Sequence, residues 1–133
     1  MNVFRIYILG ALIILSISDM ISQEKEHEAH LISVEELARH VEDSPELLLL
    51  DVRTKEEYEE GHLPGARNMD FLSEDFLLQV EQLPKDQAIF IYCRSGNRSA
   101  KAADLMRKAG FRQLYDLEGG YLKWEEEKLK KQP

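Results

Sequence analysis

Apolar positions along this chain fall into short solid runs, separated by stretches with helical spacing. Leu47 to Leu50 is apolar on both faces, as a central parallel strand requires, and Ala88-Ile89-Phe90-Ile91-Tyr92 reads as a second buried strand. Gln113 to Leu117, Ala66 to Met69 and Leu31-Ile32 supply three more strands. Between them, Ser33 and Glu36 form a capping box that opens a helix through Leu37, Ala38 and Val41, in a region that Pro45 ends. Thr54 and Glu57 form a second box, opening a short helix that stops at Gly61, read as a left-handed cap. His62-Leu63-Pro64-Gly65 is a turn, and Ser73 caps a helix with Phe76, Leu77, Val80 and Leu83 on one side. Ser99 to Ala109 reads as a helix that turns Ala100, Ala103, Met106 and Ala109 toward the core, and Gly110 stops it. Gly119-Gly120 leads into a last helix bearing Trp124. Strands and helices in regular alternation predict an α/β fold, a mostly parallel sheet covered on both faces. Sites in such sheets lie at the carboxyl ends of the strands, and both Asp51 and Cys93 stand just past a predicted central strand.

The first 22 residues are a different material. Arg5 precedes an apolar stretch from Ile6 to Ile17, followed by small residues around Ser18 and again at Ser22. That layout predicts a secretory signal peptide over 1–22, cleaved near Ser18 or Ser22. An uncleaved anchor is the alternative, although the apolar stretch is short for a bilayer span. Residues 23–30 form a flexible lead-in and 31–131 a single domain. Export, to a periplasm, is the expectation, with no stable membrane association after cleavage. The lead-in histidines His27 and His30 lack the i, i+4 spacing of a zinc helix, so no metal is expected.

At 133 residues, the chain has room for one core, and its net charge of −8 argues against nucleic acid as a partner. Against that acidic body the segment Cys93-Arg94-Ser95-Gly96-Asn97-Arg98 is locally basic, and Cys93 is the only cysteine. A thiol between a strand end and a helix start meets free backbone N–H groups and the positive end of a helix dipole. Its pKa is expected below the free value of about 8.5, which makes it a nucleophile. The bland reading, a buried small hydrophobe, fits poorly with so polar a loop. Asp51 is expected to accept loop N–H groups or pair with an arginine, and Arg53 and Glu57 to form a capping or surface pair. His62 is expected to fix its turn by bonding backbone. Tyr121 and Trp124 are expected to pack the last helix on the sheet.

Four segments together resemble the rhodanese-like sulfurtransferase domain: Asp51-Val52-Arg53 with Glu57-Tyr58, then Gly61 to Asn68, then Cys93 to Ser99, and Gly119-Gly120 with Trp124. The match runs over about residues 30 to 128. The resemblance implies a five-stranded parallel sheet of order 1-5-4-2-3 and a Cys93 persulfide that passes sulfur to a nucleophilic acceptor. It implies that the amides of Arg94, Ser95, Gly96, Asn97, Arg98 and Ser99, with the guanidinium of Arg94 or Arg98, hold a small anionic donor, thiosulfate or a persulfide. The acceptor would be a thiol or cyanide; no cofactor is expected, and the chain is expected to be a monomer. Related phosphatases and arsenate reductases use Cys-x5-Arg; here that sixth position is Ser99, which favours sulfur transfer. Basic loops in the resembling family tend toward thiosulfate or persulfides. The alternative is a non-enzymatic sulfur-carrier or partner-binding module. An exposed, low-pKa thiol in an oxidising compartment would be open to oxidation, and the chain offers no second cysteine to resolve it.

Overall fold

The computed structural model describes residues 29–131. The predicted signal peptide and most of the lead-in lie outside them. Five strands, β1 (His30–Ile32), β2 (Leu48–Asp51), β3 (Arg67–Asn68), β4 (Ile89–Tyr92) and β5 (Leu114–Leu117), form one parallel sheet in the order β1-β5-β4-β2-β3. The helices are α1 (Val34–Asp43), α2 (Lys55–Glu60), α3 (Phe76–Val80), α4 (Asn97–Lys108) and α5 (Gly120–Lys130). No helix among the described residues is long and apolar enough to cross a membrane.

The two-residue period of the strands divides the core into two clusters. Leu48, Leu50, Ile89, Ile91, Cys93 and Leu114 meet α3 and α4 through Phe76, Val80, Ala102, Ala103 and Met106. On the other face Leu49, Phe90, Tyr92 and Leu117 meet Leu37 of α1, with Tyr58, Tyr121 and Trp124 packed against them. The central β2 and β4 are buried at all eight positions, so their apolar runs need no alternation.

Several local expectations need correction. Both capping boxes form as read, Ser33 with Glu36 and Thr54 with Glu57. Gly61, however, is extended rather than left-handed; its small size matters because a Cβ there would sit 2.5 Å from the Tyr121 hydroxyl. Ser73 caps no helix: its hydroxyl accepts the Asp75 N–H, α3 spans only Phe76–Val80, and Leu83 is buried beyond its end. The fourth helix starts at Asn97, two residues early, and buries Ser99, Ala102, Ala103 and Met106, whereas Ala100 is exposed. The alanine count misplaced that face because it did not admit a serine inside; Ser99 is tolerated there because its hydroxyl is bonded.

Candidate active site

Cys93 follows β4 directly and is 1 % exposed, not open to solvent as expected, because the loop curls over its sulfur. The curl depends on Gly96, whose φ of 112° is strained for any L side chain and which caps the N-terminus of α4. That conformation sends the Gly96 N–H to the Cys93 Sγ at 3.1 Å. As a thiol, Cys93 donates to the Ser99 hydroxyl at 3.4 Å, and Ser99 donates on to the Gly96 carbonyl at 3.2 Å. Burial opposes the thiolate, but the Ser99 hydroxyl and the amides of Ser99, Gly96 and Ser95 outweigh it and hold the thiol below its ordinary pKa. Amides and a hydroxyl, rather than guanidinium groups, are the main stabilisers.

The loop carbonyls are held from behind. Tyr121 donates its N–H to the Cys93 carbonyl at 2.8 Å, and Leu122 donates to the Arg94 carbonyl at 3.1 Å. The otherwise free amides at the start of α5 thus anchor the backbone that carries Cys93. Gly120 permits this approach, since a Cβ there would lie 2.5 Å from the Cys93 carbonyl oxygen and 2.7 Å from that of Arg94. In the sequence Gly119-Gly120 reads as a helix start and as part of the family resemblance, although a paired glycine is also the signal of close backbone approach.

The two loop arginines part company. Arg98 is bound to Glu57 by two hydrogen bonds, at 2.7 and 2.8 Å, so its charge is largely spent. Glu57 also caps Thr54, and the Arg98 guanidinium beside it holds its carboxyl down at about 2, against the opposing effect of burial. Arg94 is exposed and takes no part in an ion pair among the described residues. The expected Arg53–Glu57 pair does not form. Arg53 is instead 3 % exposed and clamps Asp51, with its Nη2 2.6 Å from Oδ2 and 2.7 Å from the Gly61 carbonyl. Its guanidinium lies 4.0 Å over the Tyr121 ring, and the Tyr92 hydroxyl donates to Asp51 at 2.7 Å. Asp51 therefore pairs with an arginine, as one of its two readings held, and its carboxylate serves Arg53 and Tyr92 rather than the cysteine loop. His62 is stacked on Tyr58 at 3.8 Å, with Nδ1 2.9 Å from the Tyr58 carbonyl, fixing the end of α2. Ser95 and Asn97 are exposed at the loop rim.

A cleft of about 290 Å³ borders the loop, lined by Arg53, Glu57, Gly61, Arg94 and Tyr121 among others. A larger cavity of about 670 Å³ lies between Ser33, Glu118 and Lys123, and Cys93 does not line it.

Comparison with known proteins bears on the family and the fold. The family model of the rhodanese-like domain matches residues 33–127. A protein named "Sulfurtransferase" from Allochromatium vinosum is 32% identical over 93 residues, covering 70% of this chain and 85% of its own. The Bacillus subtilis "Putative sulfur carrier protein YrkF" is 34% identical over 93 residues, 70% of this chain and 49% of its own. The chain likewise spans 59% of the length of another B. subtilis relative, YqhL. A solution structure of a rhodanese-like domain from Anabaena sp. superposes with a TM-score of 0.66 at 30% identity, over 72% of this chain and 73% of that one. The chain belongs to the rhodanese-like domain family.

Proposed function

We propose that this protein is a sulfurtransferase that cycles Cys93 between thiolate and persulfide. The observation that carries the reading is the Gly96 N–H on the Cys93 sulfur at 3.1 Å, in a loop whose amides converge on that one atom. With thiosulfate as donor, the thiolate attacks the outer sulfur; a new S–S bond forms, and the old one breaks as sulfite departs with its electron pair. The converging amides and Ser99 then hold the persulfide charge, and Arg94 is the loop cation left to meet an anionic donor. A nucleophilic acceptor such as cyanide takes the terminal sulfur and restores the thiolate. Once Cys93 is ionised the attack itself needs no general base, and His62, engaged with Tyr58, is not required for one.

A second reading is favoured by the burial of the sulfur: a persulfide so enclosed is suited to being carried to a protein acceptor rather than turned over on small molecules. The steady-state thiosulfate:cyanide assay separates the two. Turnover in the wild type that Cys93→Ser abolishes supports the enzyme; a lasting persulfide with negligible turnover supports the carrier. Near-normal activity in Cys93→Ser would remove the mechanism altogether.

A further inference from the structure

Asp116 is, among the described residues, the buried carboxyl group on the Cys93 side of the sheet, and none of the steps above uses it. It lies on β5, one residue before the strand ends, with Ile91 of β4 and Leu31 of β1 as its register neighbours. The side chain is 3 % exposed, and its Oδ1 has no hydrogen-bond partner. A buried carboxylate oxygen without a donor is costly, so it calls for a proton or a partner. The group in reach is Ser99, the residue whose hydroxyl lies 3.4 Å from the Cys93 sulfur. Burial pushes the Asp116 carboxyl up to about 6, and Ser99 is the one group pulling it back. No charged side chain contributes: the register neighbours are apolar, and α4, which packs on β5, buries Ser99, Ala102, Ala103 and Met106.

We propose that Asp116, acting through the Ser99 hydroxyl, sets whether Cys93 is charged. When Asp116 is protonated, its O–H donates to the Ser99 oxygen, and the Ser99 O–H is left to point at a thiolate. When Asp116 is ionised, it draws that O–H away from the Gly96 carbonyl, its partner in the structure, to its own orphaned oxygen. The sulfur then loses a donor and faces a second negative charge across one hydroxyl. The two acids hold one proton between them. It passes without an outside carrier: the S–H proton moves to the Ser99 oxygen while the Ser99 proton moves to Asp116, leaving thiolate and neutral carboxyl. Asp116 is thus a positioning residue, and only its consequence for turnover rests on the sulfurtransferase reading.

Because the chain has one cysteine, the ultraviolet absorbance of its thiolate can be titrated without any sulfur donor. Asp116→Asn keeps the shape and removes the charge. It should enlarge the acid dissociation constant of Cys93 about three- to tenfold, and by less than about twofold when Ser99→Ala is also present. A Cys93 titration that overlays the wild type, or an equal change with and without Ser99, overturns the proposal. In the chain with its native Asp116, the carboxyl carbon signal of that residue should titrate near 6, and at higher pH in Ser99→Ala, where the one group that offsets burial is gone. A titration unmoved by Ser99→Ala overturns it equally. Neither measurement involves sulfur transfer, so failure here and failure of the proposed activity are told apart.

Discussion

Glu57 joins two parts of the site through one carboxylate, capping Thr54 at the start of α2 and holding Arg98 on α4. Because its folded pKa is depressed from 4.5 to about 2, its stabilising effect is complete above about 4.5 and fades as pH falls toward 2. The pair is part-exposed, so solvent screening limits its worth to about 1 kcal/mol. Glu57→Gln should therefore unfold at lower urea than the wild type at neutral pH, and the gap should close in acid; a constant gap would mean that the charge does not matter. The residue identities at this scale were only partly legible. Cys93 stood out because it was alone in a polar loop. The partner of Arg98 did not, because Glu57 is 41 positions away and a pairing across that distance leaves no periodic trace. Asp116 did leave one: a carboxylate sharing the strand phase of Leu114 is out of place in a core-facing position.

The element that matters most is the turn from β4 into α4, braced by the start of α5. Its conformation is fixed from both sides, by the left-handed Gly96 within it and by the α5 amides on its carbonyls. Gly120→Ala would add a Cβ 2.5 Å from backbone oxygen at a residue whose φ is 59°. The expected result is a loss of more than about 2 kcal/mol in stability together with a fall in sulfur loading. Unchanged loading would show that α5 does not position the loop. The helices and strands themselves were legible because capping boxes and solid apolar runs are local signals. The start of α4 was misplaced by two residues because Asn97 and Arg98 look like loop until the Gly96 conformation is known.

Across the whole molecule, Arg53 ties β2, the end of α2, β4 and α5 into one unit through Asp51, Gly61, Tyr92 and Tyr121. Removing the guanidinium would leave the Asp51 charge buried and unpaired, so Arg53→Leu should cost about 3–5 kcal/mol in urea unfolding. A cost within the range of ordinary surface changes would show the clamp to be incidental. The alternation of elements pointed to a parallel sheet, but the strand order came from the resemblance, since local pattern does not say which strands are neighbours. Arg53 was read as surface because charge suggests exposure, and only the folded sheet reveals its buried partners. The proposed function stands on Cys93 taking up a second sulfur atom. Intact mass after incubation with thiosulfate, and again after an acceptor is added, reads that uptake. The wild type should gain the mass of one sulfur and lose it to cyanide, whereas Cys93→Ser should show neither change; an unmodified wild type, or an adduct that survives Cys93→Ser, would rule out a Cys93 persulfide.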